Sequence, residues 1–71
     1  MPTDTEWIAA FAARLGVTPP DAETVATLLD LAGVAAHASE RLAAPLACWL
    51  VGRAGVDVHR ARAVADTIDN Q

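Results

Sequence analysis

Apolar residues along this chain recur at intervals of three and four positions, whereas the strict alternation that is typical of strands is almost absent. Intervals of three and four place side chains on one face of a helix. Near the start, four large apolar residues follow this spacing: Trp7, Ile8, Phe11 and Leu15. Thr3 and Glu6 have the spacing of a capping box, and Gly16 suits the left-handed position that ends a helix. The pattern predicts a first helix over residues 4–15.

A stiff connector, the sequence VTPP at residues 17–20, separates the first helix from the second. A residue that precedes proline is disfavoured in the helical region, so we expect the connector to be extended. Asp21 and Glu23 then place negative charge where the dipole of a new helix favours it. One broad side of this second helix is apolar and is predicted to be buried: Val25, Leu28, Leu29, Leu31, Ala32, Ala35 and Ala36. The predicted range of the helix is residues 21–38.

Pro45 limits how far the second helix can continue. Inside a continuous helix its ring would clash with the carbonyl of Arg41, at a cost of about 3 kcal/mol. A break before the proline costs less and places it in the first turn of a third helix, predicted over residues 45–54. Asp57 is a good N-cap residue for a fourth helix, predicted over residues 58–69.

The length of the chain, 71 residues, corresponds to one small domain near the lower limit for a stable core. With four predicted helices, no internal repeat and no linker, the expected fold is all-α, a compact bundle of four short helices in one domain over residues 1–71. A domain of this size buries only about 60% of the surface of its unfolded chain, and such domains are often stabilised by disulfides, metals or oligomerisation. Cys48 is the only cysteine, so no disulfide can form within one chain. His37 and His59 are the only histidines, and their spacing fits no familiar zinc site. Oligomerisation remains as an aid to stability, or else unusually efficient packing of the helices.

The third helix is apolar on every side, because residues 46–51 read LACWLV. A helix of this kind has to be surrounded by its own chain or by another. Three short neighbours cover only part of it, so we expect one edge to form an exposed apolar patch, which is typical of an interface. Our hypothesis is that helix 3 is central and that Leu46, Trp49 and Leu50 contact a second copy, as in a dimer, or a larger protein partner.

His37, Glu40 and Arg41 lie on the polar side of the second helix, next to the break before helix 3. In one interpretation they organise the corner. His37 then stabilises the carbonyls at the end of helix 2, while Glu40 and Arg41 form ion pairs with neighbouring helices. In the other interpretation, Arg41, His37 and the free amides at the start of helix 3 bind a phosphate or carboxylate. The structural interpretation is favoured, because an anion site needs more donors than the corner offers.

Charge and hydropathy exclude several classes of partner. The net charge is −4 and all five basic residues are arginines without a cluster, which argues against nucleic-acid binding. The longest apolar run is too short for a membrane span, and no signal peptide is recognisable. We therefore expect a cytoplasmic protein without membrane contact.

The chain carries none of the common catalytic motifs, such as a glycine-rich phosphate loop, a nucleophile elbow, a His–Glu metal motif or CxxC. No catalytic residue, metal site or cofactor is predicted, an enzyme acting alone is not expected, and so small a bundle has little room for a small-molecule ligand. Cys48 is expected to be a small buried hydrophobe and His59 to be solvated. Arg62 and Asp66, four positions apart, are expected to pair on the surface.

Three segments carry a resemblance to a known family: WIAAFAARLGV, LLDLAGVAAHASER and AAPLACWLVGRAG. They resemble a small actinobacterial family of unknown function whose members share LLDLA, AH, ER and APL in this order, followed by an aromatic residue, leucine and glycine. The similarity covers residues 7–55. Its recurrent positions are His37, Glu40, Arg41, Ala44, Pro45 and Gly52. Trp49 stands where many relatives carry phenylalanine.

The resemblance implies an accessory role. Family members occur alone or fused behind the nucleotidyltransferase of molybdopterin-guanine dinucleotide biosynthesis, whose nucleotide-binding machinery lies in the other domain. This implies a non-catalytic helical interaction module associated with molybdenum-cofactor biosynthesis. The alternative is a small module that binds an anion or a nucleotide phosphate at the corner of His37 and Arg41.

Overall fold

Four α-helices make up most of residues 3–68, the part of the chain that the computed structural model describes. They are α1 (Asp4–Leu15), α2 (Ala22–Ala38), α3 (Ala43–Ala54) and α4 (Val58–Ala65), and residues 3–68 contain no strand. The predicted all-α fold with four helices is confirmed.

Side-chain caps start three of the helices. In the capping box of α1, the Thr3 hydroxyl accepts the Glu6 amide at 3.1 Å and the Glu6 carboxylate accepts the Thr3 amide at 2.8 Å. The backbone hydrogen bond lowers the pKa of Glu6. Asp21 is the N-cap of α2, which therefore begins one residue later than predicted. The Asp21 carboxylate accepts a hydrogen bond from the Thr24 amide at 2.8 Å, and this bond lowers the pKa of Asp21. Asp57 caps α4 as the sequence predicts.

Glycine ends α1 and α3. Gly16 and Gly55 adopt left-handed backbone conformations with φ angles of 77° and 68°, which glycine tolerates without strain. Each glycine amide donates to carbonyls of the last helical turn. With Gly55 in this conformation, residues 55–57 alone join α3 to α4.

α3 begins at Ala43, two residues before the predicted start. Pro45 is the third residue of the helix. An amide at this position has no acceptor within the helix, so its absence in proline costs no helical hydrogen bond. No side chain caps this helix. Instead, the Ala43 and Ala44 amides donate to the carbonyls of Glu40 and Arg41 at 2.8 and 3.1 Å, which tightens the first turn.

α4 ends at Ala65, although the sequence pattern predicts a continuation to residue 69, which lies outside the described residues. The Thr67 amide and hydroxyl both donate to the carbonyl of Val64, at 2.9 and 2.6 Å. A hydroxyl that binds a nearby carbonyl competes with the helical hydrogen bonds. This local turn explains the shorter helix.

α2 is the central helix, and α3 and α4 pack against it. The prediction that helix 3 is central is wrong, because α2 has 17 residues and its broad apolar side accommodates two neighbours. Leu31, in the middle of α2, is only 3% exposed. On the side of α2 that is predicted to be buried, Leu28 and the alanines are half-buried, whereas Val25 and Leu29 are exposed.

Most of the large apolar side chains are exposed. Residues 3–68 contain nineteen Val, Leu, Ile, Phe and Trp residues, of which thirteen are exposed and one, Leu31, is buried. The accessible surface of the chain is 5707 Å², whereas a folded monomer of 7.4 kDa exposes about 4,200 Å². The single chain therefore leaves apolar surface uncovered that a soluble monomer usually buries.

Candidate functional site

An apolar groove lies between α3 and α4, with α2 as its floor. It consists of two adjoining hollows of about 330 Å³ each, which share five residues: Leu31, Ala47, Leu50, Ala65 and Ile68. We call it the α3–α4 groove. The wall on α3 is built from residues three and four positions apart: Ala43, Leu46, Ala47, Leu50, Val51 and Ala54. The helical period of α3 therefore forms a continuous apolar wall.

The three predicted interface residues are all exposed. Leu46 and Leu50 line the groove and are 65% and 59% exposed, while Trp49 lies beside it and is 63% exposed. Leu42, just before α3, lies four positions before Leu46 and is also exposed. It extends the exposed edge of α3 by one turn. α3 thus has an uncovered apolar edge.

A second uncovered apolar surface belongs to α1. Ala12 is buried, and Ile8 shares a hollow with Val25 and Leu28 of α2. All four large apolar side chains of α1 are exposed, Ile8 the least at 40%, and the other three more so: Trp7, Phe11 and Leu15. The ring centroids of Trp7 and Phe11 are 5.1 Å apart, so the two rings form one aromatic ridge. We call Trp7, Phe11 and Leu15 the outer ridge of α1.

The predicted polar corner is exposed to solvent. His37 lies in the last turn of α2 and lines a hollow of about 580 Å³ together with Asp30 and Asp66. Glu40 and Arg41 follow in the turn before α3. Within residues 3–68 neither of them forms an ion pair, so the expected ion pairs to neighbouring helices are not observed.

The start of α3 offers an anion few donors. The Ala43 and Ala44 amides already donate to carbonyls, and Pro45 has no amide hydrogen. Asp30 and Asp66 add negative charge to the hollow beside His37. The free amides that the anion-binding interpretation requires are therefore mostly occupied or missing.

Arg62 forms the main polar cluster among the described residues. Its Nε donates to Asp30 Oδ2 at 2.6 Å, and its Nη1 lies 2.7 Å from Asp66 Oδ2. The second contact is an ion pair without hydrogen-bond geometry. The carboxylates of Asp66 and Asp30 raise the pKa of Arg62. The spacing of four predicts the pair with Asp66, but the pair with Asp30 joins residues 32 positions apart and has no signal in the sequence.

His59 also has a partner that sequence reasoning misses. Its Nε2 lies 2.9 Å from Glu23 Oε2, which links the first turn of α4 to the first turn of α2. Both side chains are more than half exposed, so the expectation of a solvated histidine holds only in part. This contact and those of Arg62 tie α4 to α2 at the protein surface.

The described part of the chain shows no arrangement of three or more His, Cys, Asp or Glu side chains that could hold a metal ion. Among the helices of residues 3–68, none has both the length and the apolar character needed to cross a membrane. Cys48 is half-buried, so the prediction of a small buried hydrophobe is only partly met. The two uncovered apolar surfaces are therefore the most distinctive features of the molecule.

Comparison with known proteins identifies one family. The model of the domain of unknown function DUF6457 matches residues 1–70. No curated protein and no solved structure shows significant similarity to the chain.

Proposed function

This chain belongs to the DUF6457 family of domains of unknown function, and we propose that it is a non-catalytic helical interaction module. Its binding surface consists of the α3–α4 groove, the adjacent edge around Trp49 and the outer ridge of α1. It acts by covering its apolar surface with that of another polypeptide.

The exposure of the large apolar side chains carries this proposal. Thirteen of nineteen are exposed within residues 3–68, and they include both tryptophans and the phenylalanine. Isolated exposed apolar residues are common in soluble proteins, but contiguous patches mark interaction sites. Here helical spacing aligns several of them along α1 and several along α3. Tryptophan is also among the residues that contribute most to binding energy at interfaces.

The polar residues support a binding role over catalysis. Arg62 is held by Asp30 and Asp66, and Glu23 is held by His59. Two of these contacts, Arg62 with Asp30 and His59 with Glu23, connect α4 to α2, and the third lies at the end of α4, so these charged groups serve to hold the helices in place.

The proposed cellular context is molybdenum-cofactor biosynthesis in the cytoplasm of an actinobacterium. Support comes from the resemblance of three segments to a family that also occurs fused to the nucleotidyltransferase of molybdopterin-guanine dinucleotide biosynthesis. A domain that is fused in one protein and separate in another can bind its former neighbour in trans. The partner is therefore that nucleotidyltransferase or a second copy of this chain.

No observation favours the alternative of an anion-binding module. The amides at the start of α3 are occupied, and the hollow beside His37 contains two carboxylates. Arg41 remains exposed, and a single arginine on a surface gives an anion weak and screened attraction.

Charge placed on the edge of α3 tests the proposal. Sedimentation velocity and calorimetry would measure self-association and binding to the purified nucleotidyltransferase from the same organism. We expect Leu46→Glu and Trp49→Glu to weaken the association by about 30-fold or more, since hot-spot residues contribute at least about 2 kcal/mol. Arg41→Ala is the matched control and should leave association intact.

Circular dichroism separates loss of binding from loss of fold. A wild-type chain that stays monomeric at millimolar concentration and does not bind the nucleotidyltransferase would overturn the proposal. So would association that Leu46→Glu and Trp49→Glu leave unchanged in folded proteins.

A further inference from the structure

The outer ridge of α1 has the spacing of a helix that binds in a groove. Trp7, Phe11 and Leu15 are four positions apart, and helices that bind grooves use anchors at such intervals. The inner side of α1 is only partly covered by its own chain, because Ala12 is buried and Ile8, 40% exposed, lines a hollow with Val25 and Leu28 of α2. The outer ridge is thus a binding face without a partner in its own chain.

The α3–α4 groove is long enough to take this ridge. Trp7 and Leu15 are eight positions apart, about 12 Å along a helix, and the groove wall on α3 runs over eleven positions from Ala43 to Ala54, about 16 Å. Both surfaces are apolar. No residue of α1 lines the groove of its own chain, so an α1 that fills this groove has to belong to another chain.

The α1 of the same chain lies toward a different side of α2. It lines a hollow with Val25, Leu28 and Leu29, whereas the floor of the groove is Leu31 with Val34 and Ala35, about a third of a helical turn away. The proline-containing connector of residues 17–20 holds α1 near the start of α2.

Charge at one end of the groove complements the start of α1. The first turn of α1 carries Asp4 and Glu6. Arg60 lines the groove where α4 begins, and Arg53 lies in the last turn of α3 at the same end. Within the described residues neither arginine has an ion-pair partner. Opposite charges of this kind fix the orientation of a partner.

The other end of the groove has the opposite sign. Arg14 lies in the last turn of α1, and Glu40 precedes the start of α3. The charges at both ends agree on one direction for an α1 that enters the groove from another chain: it would lie antiparallel to α3. The dipoles of the two helices would then point in opposite directions.

The uncovered area suits a second copy. The exposed surface exceeds that of a typical monomer of this mass by about 1,500 Å². Permanent dimers bury about 2,000–5,000 Å² in total, or about 1,000–2,500 Å² from each chain. Two ridges that enter two grooves form a two-fold symmetric interface in which each contact occurs twice.

From ridge, groove, charge and area together, we infer that two copies of this chain form a dimer in which the outer ridge of each α1 fills the α3–α4 groove of the other. The inference rests on the proposed interaction function and names its partner as a second copy. Each chain is then incomplete alone, because its groove is closed by residues of its partner.

Disulfide trapping between two differently tagged chains tests this arrangement. In a Cys48→Ser background, one chain carries Ala10→Cys, beside the outer ridge, and the other carries Val64→Cys, in the groove. These exposed positions tolerate a small side chain. The matched control replaces Val64→Cys with Ala63→Cys, which is next to it in sequence and does not line the groove.

We expect a dimer by sedimentation and a mixed disulfide that forms roughly tenfold or more faster with Val64→Cys than with Ala63→Cys, since adjacent thiols react at a millimolar effective concentration. A charge exchange supplies a second measurement. Arg60→Glu should weaken the dimer, and adding Asp4→Arg to the same chain should restore it. Restoration would show that the two positions meet across the interface.

Other outcomes overturn the inference and separate it from the proposed function. A dimer in which both cysteine pairs react equally fast has another interface, so the inference fails and the interaction function stands. If the chain is a monomer that binds the nucleotidyltransferase through Leu46 and Trp49, the dimer inference also fails and the interaction function stands. A monomer that binds neither partner overturns both.

Discussion

Two regions of this molecule differ in how many of their side chains find a partner within the same chain. Where α4 meets α2, Arg62 reaches two carboxylates and His59 reaches Glu23. On α1 and α3, large apolar side chains face solvent, among them Phe11 and Trp49. Where α4 meets α2, charged side chains find partners within one chain, whereas the large apolar side chains of α1 and α3 are left exposed.

This difference indicates which forces act within the chain and which act between chains. Surface ion pairs add little to stability, whereas burial of apolar area is the main favourable term in folding and association. A chain that forms surface ion pairs but leaves much of its apolar area exposed gains further stability when that area is buried against another polypeptide. Stability and binding should therefore be coupled, so unfolding should depend on protein concentration.

Leu31→Ala should have the largest effect. Removal of a buried leucine side chain costs about 2–5 kcal/mol, a large part of the roughly 5–15 kcal/mol that stabilises a small domain. Leu31 is the one large apolar side chain buried within residues 3–68, so we expect the variant to be largely unfolded by circular dichroism. Leu29→Ala, on an exposed neighbour of the same helix, is the control. Equal melting temperatures for the two variants would contradict the described core.

Arg62→Met should have a smaller effect, a fall of a few degrees in melting temperature. The substitution keeps the apolar stem and removes both ion pairs that join Arg62 to Asp30 and Asp66. High salt should lower the melting temperature of the wild type toward that of the variant, because salt screens exposed charges. Arg41→Met tests whether any arginine gives this result. If it destabilises the protein as much as Arg62→Met, the cluster has no specific role.

Acid should have the smallest effect of the three, through the helix caps. Hydrogen bonds lower the pKa of Glu6 and of Asp21 in the folded protein, from ordinary values of 4.5 and 3.8. The stability that these caps contribute is therefore fully present above those values and is lost as the pH falls from there through the lower pKa values of the folded protein. Melting temperatures measured from pH 6 to pH 3 should fall less steeply in a double variant, Glu6→Gln with Asp21→Asn. Parallel curves for variant and wild type would exclude this role.

The sequence predicts local features of this fold well, because local chemistry decides them. The capping box of Thr3 and Glu6, the left-handed Gly16 and the N-cap Asp57 each depend on residues a few positions apart. The exposed apolar edge of α3 was predictable for a similar reason, since residues 46–51 contain no polar side chain.

Features that depend on long-range packing were not predictable. The choice of α2 as the central helix depends on which apolar sides meet, and periodicity alone does not rank them. Asp30 finds Arg62 across 32 positions, a pairing that no spacing rule contains. The spacing of the outer ridge of α1 is the same as that of a helix face buried in a core. Only the folded structure shows that its own chain leaves this face uncovered.

The left-handed Gly55 lets a connection of three residues bring the start of α4 beside the end of α3. Val56, within this connection, lines the groove, so the loop that joins the two walls is itself part of the apolar surface. The length of the loop therefore also sets how far apart the two walls can lie. An insertion after Gly55 would change the width of the groove, and with it the helix that fits there, without altering any residue of α3.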